Sequence, residues 1–164
     1  MEESGMITQF KDEYRWLSNF WRVLIIYGKL GYDSVEHFYQ AMKFLDENTR
    51  RTIAMQVSPG KAKWAARMLS ASVRPNWQNI SLFVMEYGLR VKFSNPDLRT
   101  RLMETHPQIL VEGNYWHDNF YGDCFCPKCA NIQGENNLGK LLMKIRQECV
   151  DFPDKELFIP DWKF

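Results

Sequence analysis

The sequence predicts an α+β fold, predominantly helical, with a small antiparallel sheet. Three observations predict it. Helix-start signals recur: Asp33 or Ser34 as a cap, Ser58-Pro59, and Asn95-Pro96. In the last two pairs a capping side chain precedes a proline suited to the first helical position. Apolar residues Trp77, Ile80, Phe83, Val84, Tyr87 and Val91 recur at helical spacing. The strand-like runs are short and do not alternate with helices as a doubly wound sheet requires. At 164 residues and 19.5 kDa the chain suits one domain over residues 1–164.

Taken in order, Ile7 to Phe10 and Arg22 to Tyr27 are β-like, with Gly28 and Gly31 as turn residues. The first helix is expected from Asp33 or Ser34 to about Leu45, the second from Ser58-Pro59 to about Leu69. Asn76 opens a third helix and Asn95-Pro96 a short fourth. Ile109 to Val111 reads as a strand of the same antiparallel sheet, and a glycine- and cysteine-containing loop spans Gly113 to Gly134. A last helix starts near Asn136, with Leu138, Leu141, Leu142, Ile145 and Cys149 on its buried face.

Composition narrows the function classes. Six Trp, seven Tyr and eleven Phe imply a real core rather than a disordered chain. The longest aliphatic run, Val23 to Ile26, is too short to span a bilayer. Met1-Glu2-Glu3-Ser4 is acidic and lacks the basic flank and apolar segment of a secretory signal. A cytoplasmic protein with no membrane partner is expected. A net charge of +1 excludes nucleic-acid binding through bulk positive charge, though a local phosphate site remains compatible with it.

The chemistry-bearing residues fall in four segments. On a helix, Glu36, Gln40 and Lys43 share one face, and Glu36 and Lys43 stand within about 20° of each other around the axis. Such a stripe can line a polar pocket. Asp33 and Glu36 equally have the spacing of a capping box, and Lys43 near a helix C-terminus suits the macrodipole. His37 reads as a structural histidine, since no His-x-x-x-His pair accompanies it. Residues 112–122 hold Glu112, Asp118 and four aromatics. Carboxylates buried near aromatics can do acid-base work, and an ordinary Asx turn at Asp118 explains the same pattern.

Cys126-Pro-Lys-Cys129 has zinc-knuckle spacing, and Cys124 adds a third thiol. A closed site needs a fourth ligand, which Cys149 or His117 can supply; otherwise the cysteines are loop thiols. Gly134 to Lys140 resembles a phosphate-binding helix opening, or simply an N-cap at Asn136. No P-loop, Gly-x-Gly-x-x-Gly or Gly-x-Ser-x-Gly motif is present.

Together these segments resemble the NADAR family, also called YbiA-like. The matching residues are Phe10, Tyr14, Leu17-Ser18-Asn19-Phe20, Tyr32, Ser34, Glu36-His37, Tyr39-Gln40-Ala41 and Lys43. They continue with Arg74-Pro75, Trp77, Met85, Lys92-Phe93, Thr105, Leu110-Val111-Glu112, Asp118 and Tyr121-Gly122. Asn136, Leu138-Gly139, Leu141-Leu142-Met143 and Arg146 complete the series. The match runs in order along nearly the whole chain. Tyr121 stands where the family usually has Trp, and the Cys124 to Cys129 segment occurs in only some members.

The resemblance implies a YbiA-like fold and an N-glycosidase that cleaves a ribose C–N bond. The implied substrate is a phosphoribosylamino-pyrimidine intermediate of early riboflavin biosynthesis. ADP-ribosylated guanine in nucleic acid is the alternative, and a non-catalytic ADP-ribose or NAD binding module is a third. Nucleic acid enters only as a modified substrate. Such a reaction develops oxocarbenium character at the ribose, so carboxylates are wanted. Glu36, Lys43 and Asp118 are the implied catalytic residues. Asn19, Gln40, Arg74, Trp77, Glu112, Tyr121 and Asn136 are the implied substrate contacts. Arg74, Lys140 and Arg146 are candidates for phosphate, and Trp77, Trp116 or Tyr121 for the base. Lys43 also permits a Schiff-base route. The chemistry needs no metal or organic cofactor.

Overall fold

Side chains that cap helix starts set most of the boundaries in the computed structural model, which describes residues 5–164. The acidic residues 1–4, on which the expectation of no secretory signal rests, lie outside the described residues. The elements are β1 (Met6–Ile7), β2 (Ile25–Tyr27), β3 (Leu30–Tyr32), α1 (Val35–Ala41), α2 (Glu47–Ala54) and α3 (Pro59–Met68). They continue with α4 (Trp77–Lys92), α5 (Pro96–Glu104), β4 (Ile109–Leu110), β5 (Gly113–Asn114), β6 (Asp123–Cys124) and α6 (Asn137–Asp151). Short 3-10 turns lie at Asp12–Leu17, Ser70–Ser72 and Pro127–Cys129. Helix predominates, as expected. Two compact units form: one from the residues up to Ser18 with Phe93–Leu157, the other from Asn19–Lys92 with Phe158–Phe164.

In the second unit, β2 and β3 make an antiparallel hairpin that turns through Gly28 at φ 59°. Gly31, expected in the turn, instead lies in β3 opposite Ile26. Helix α1 starts at Ser34, whose hydroxyl accepts the His37 backbone N–H. It ends at Ala41, short of Leu45, and Asp46 then caps α2 through Thr49. The sequence gives little sign of α2, because Ile53 is its only buried side chain and no apolar period marks it.

Helix α3 begins at the Ser58 cap, as expected. The buried face of α4 differs from the expected stripe: it includes Ser81, Val84, Met85, Gly88 and Leu89, while Phe83 is exposed. Small residues explain the shift. A Cβ at Gly88 would meet Phe38 at 3.0 Å and Val35 at 3.2 Å, so α1 packs where α4 carries least side chain. Glu86 and Arg90 form a buried ion pair at 2.9 Å, and Arg90 also donates to the Phe158 carbonyl. The C-terminal segment is held by Tyr27, whose hydroxyl accepts the Phe164 N–H at 2.6 Å.

In the first unit, β1 pairs in parallel with β4, Met6 opposite Ile109, so this pair is not antiparallel as expected. The two strands are far apart in sequence, and no hairpin turn dictates their sense. β5 and β6 are also parallel. Trp16, Leu17, Phe93, Leu102, Leu110, Leu142 and Ile145 are among the buried residues. Leu141, expected on the buried face of α6, is only partly buried, and Arg146 is buried beside it. Each fully buried aliphatic side chain is worth about 1.5–3 kcal/mol. No helix among the described residues is long and apolar enough to cross a membrane.

Candidate active site

Six of the expected site residues lie in the second unit: Asn19, Glu36, Gln40, Lys43, Arg74 and Trp77. Ser34 caps α1, so Asp33 does not, and the capping-box reading of Glu36 fails. Glu36 is buried and its backbone N–H donates to the Asn19 carbonyl at 3.1 Å. Its Oε1 accepts from Gln40 Nε2 at 2.8 Å. Burial pushes the Glu36 carboxyl above the ordinary range, against the Gln40 hydrogen bond and the charges of Lys63 and Lys43.

Lys43 lies just beyond the C-cap Met42 rather than inside the helix. Its amine feels the charge of Glu36. Burial pushes this amine down, the Glu36 charge opposes that, and Lys63 and Arg67 reinforce it. The Nζ sits 5.7 Å from the Tyr39 ring centre and 6.0 Å from that of Trp77. Those two rings meet edge to face at 5.0 Å. Arg74 is tied in through its backbone N–H, which donates to the Lys43 carbonyl at 2.8 Å.

Several buried polar atoms here make no hydrogen bond within the described residues: Asn19 Oδ1, Gln40 Oε1 and Arg74 Nη1. An unsatisfied buried polar atom costs about 1–3 kcal/mol, so a cluster of them suits a ligand bearing hydroxyl, amino and acidic groups. His37 is different. Its Nε2 meets the Gln56 carbonyl at 2.9 Å and its Nδ1 meets the Ser34 hydroxyl at 2.7 Å. Both ring nitrogens are spoken for, which bears out the structural reading.

The remaining expected residues, Glu112, Asp118, Tyr121 and Asn136, lie in the first unit. Asp118 Oδ1 accepts the N–H groups of Phe120 at 3.1 Å and Tyr121 at 2.9 Å. That is an Asx turn, and it occupies one carboxylate oxygen. Asn136 stands at the N-cap position of α6 with φ 50° but caps nothing through its side chain. Its Oδ1 accepts from the Glu112 N–H, and its Nδ2 donates to the Leu110 carbonyl. It therefore fixes β4 against the start of α6, and the N-cap reading fails. Arg146 is buried and donates to Thr105 at 2.9 Å, while Lys140 and Trp116 are exposed.

Sequence reasoning missed three contributors. Lys63 and Arg67, exposed on α3, supply positive charge around Glu36 and Lys43. Their i, i+4 spacing on a helix that Ser58-Pro59 announces was the available signal. The third is Asn114, which is buried. Its Oδ1 accepts the Trp116 and Asp118 N–H groups, and its Nδ2 donates to the Asp118 carbonyl at 2.7 Å. It shapes the loop that presents Asp118.

The NADAR domain matches residues 7–150. The chain belongs to the NADAR family. It is 38% identical over 140 residues to N-glycosidase YbiA of Shigella boydii, covering 84% of this chain and 82% of the relative. The solved NMR structure of E. coli YbiA matches with a TM-score of 0.79 and 33% identity, over 94% of this chain and 91% of that one. Riboflavin biosynthesis protein VVA0006 of Vibrio vulnificus is 29% identical over 149 residues, covering 90% of this chain and 39% of that protein. This NADAR chain is thus a hydrolase acting on N-glycosyl bonds, with the α+β fold of YbiA.

Proposed function

We propose that the chain hydrolyses the C–N bond between ribose phosphate and the amino-pyrimidine of an early riboflavin-biosynthesis intermediate. One observation carries the reading: the buried carboxylate Glu36 feels the charges of Lys63 and Lys43, and Lys43, which also feels Arg67, lies near the Trp77 and Tyr39 rings. A phosphorylated sugar joined to a flat base asks for those three features. The cations suit phosphate, the carboxylate suits the ribose C1, and an aromatic face suits the base. Asn19 Oδ1 and Gln40 Oε1 would accept ribose hydroxyls or the exocyclic amino group. The name of VVA0006 supports the riboflavin-linked substrate.

In the reaction, the C1–N electron pair leaves with the base and positive charge develops on C1 and O4. The Glu36 carboxylate stabilises that charge, water forms the new C1–O bond, and the water proton passes to the departing nitrogen. Asp118 is proposed as catalytic on the family resemblance. Its Oδ1 is committed to the turn, which leaves Oδ2 to act. The lowered Lys43 amine favours a variant route, in which Nζ adds to C1 of the ring-opened sugar. The C1–N bond to the pyrimidine breaks as that nitrogen takes the Lys43 proton and leaves as the free amine. Water then cleaves the resulting Lys43 imine to the sugar aldehyde and the free lysine amine.

The test is a mass-spectrometric screen for released ribose phosphate across phosphoribosylamino-pyrimidines, NAD and ADP-ribosylated guanine. Release from the pyrimidines is expected. Lys63→Ala and Arg67→Ala should raise KM by about 10–100-fold, since a charged hydrogen bond is worth about 1.5–3 kcal/mol. Release from ADP-ribosylated guanine alone would replace the pyrimidine reading, and no release from any substrate would leave a binding module.

A further inference from the structure

The loop between β5 and α6 contains a group of side chains that the glycosidase chemistry does not use. His117, Cys124, Cys126 and Cys129 come from different parts of it, yet their donor atoms all lie within 4.8 Å of one another. The three cysteines are buried and unoxidised, and they form a small cluster of their own, with no aliphatic side chain in it. We propose that these four residues form a structural zinc site that fixes the conformation of this loop.

The geometry can be checked against what zinc requires. With Zn–S near 2.3 Å and Zn–N near 2.0–2.1 Å, a tetrahedron has N···S edges of ~3.6 Å and S···S edges of ~3.8 Å. His117 Nδ1 lies 3.3 Å from the sulfur of Cys126, 3.4 Å from that of Cys129 and 3.9 Å from that of Cys124. These distances bracket the tetrahedral edge. Hydrogen bonding does not account for them, because one ring nitrogen carries one proton or one lone pair and cannot serve three sulfurs. A shared cation does. A disulfide would use only two of the three thiols. Three soft thiolates with one imidazole in a closed set of four match structural zinc.

The surroundings suit the same assignment. Asn119 Nδ2 donates to the Cys129 sulfur at 3.4 Å, and its Oδ1 accepts the Cys124 N–H at 2.9 Å, so one side chain orients two ligands. Cys126 and Cys129 flank a 3-10 turn closed by the Cys129 N–H to the Cys126 carbonyl at 3.0 Å. His117 adopts φ 69°, a left-handed conformation that turns the imidazole toward the sulfurs. The large apolar side chains of the loop, Tyr115, Trp116, Phe120, Phe125 and Ile132, are all exposed, so hydrogen bonds rather than an apolar core hold its backbone. When zinc binds, three S–H bonds give way to three Zn–S bonds and the three protons go to solvent. Of the two fourth ligands that the sequence leaves open, the structure selects His117 over Cys149. The inference is independent of the substrate reading, because metal content is measured without substrate.

Purified under reductant and passed through metal-free buffer, the protein should carry about one zinc per chain by elemental analysis. His117→Ala and Cys129→Ser should reduce this toward zero, whereas His117→Cys, which keeps four ligands, should retain it. Cobalt exchanged into the unmodified protein should give the intense visible bands of a tetrahedral thiolate site. Chelation should lower Tm, and added zinc should restore it. The cobalt and metal-content readings use the parent chain, so they decide the matter even if a variant fails to fold. A reduced, folded parent protein that holds no zinc, takes up none from equimolar zinc and shows no tetrahedral cobalt bands would overturn the proposal.

Discussion

Glu36→Gln distinguishes a carboxylate that does chemistry from one that only fills space. The amide oxygen of glutamine can still accept the 2.8 Å hydrogen bond from Gln40, and the backbone bond to Asn19 is unaffected. Charge is what changes. A unit negative charge about 4 Å from a developing positive charge is worth about 4 kcal/mol at an effective dielectric of roughly 20. Removing one preorganised group elsewhere costs about 2.7–4 kcal/mol. Turnover at saturating substrate should therefore fall by about 10²–10³-fold.

Stability should move the other way. Burial raises the folded pKa of Glu36 above its unfolded value, so between the two values the folded chain holds a proton that the unfolded chain has lost. Stability of the parent then falls as pH rises through the folded pKa. The variant carries no such penalty. Its Tm should match the parent's near pH 4, within the ordinary carboxylate range, and exceed it increasingly as pH rises through the folded value. Thermal melts across that range, beside mass-spectrometric kinetics, measure both effects. Parent-like turnover in a folded variant would remove Glu36 from the chemistry. An equal loss of Tm at every pH would make it a structural hydrogen-bond acceptor.

Lys43→Ala should cut turnover on the order of 10²-fold. A sugar adduct trapped on Lys43 of the parent by borohydride would select the Schiff-base route, its absence the water route, and unchanged turnover would exclude Lys43 from both. The lowered folded pKa of Lys43 means that parent stability rises as pH rises through that value, and this segment of the pH profile should vanish in the variant. Asp118→Asn keeps an oxygen for the Phe120 and Tyr121 N–H groups, so its Tm should change little while turnover falls on the order of 10²-fold. Turnover like the parent's would leave Asp118 as a turn former and nothing more.

Features set by neighbours in sequence were legible. Ser58-Pro59 and Asn95-Pro96 announce α3 and α5 because a cap and a proline act within one turn. Features set by partners distant in sequence were not. The parallel pairing of β1 with β4 has no local signature. The buried face of α4 includes Gly88, which makes room for α1, and Ser81, and neither carries a hydrophobic signal. Asn136 looks like an N-cap because its position is right, yet its side chain serves Glu112 and Leu110 instead. The cysteine spacing suggested a metal site, and only the fold could choose His117 as the fourth donor.

Glu36 shows how such ambiguity resolves. Spacing alone allowed a capping box with Asp33, in which the carboxylate would be exposed and would satisfy backbone N–H groups. The Ser34 hydroxyl takes the capping role, and this leaves Glu36 facing inward. Once buried, the carboxylate has lost its hydration and recovers one amide donor from Gln40. The charges of Lys63 and Lys43 offset part of the loss. The result is a carboxyl whose charged form is incompletely compensated by its surroundings. On the proposed reading, a developing positive charge on a bound ribose would complete the compensation, and the same deficit that lowers stability would strengthen binding of the transition state.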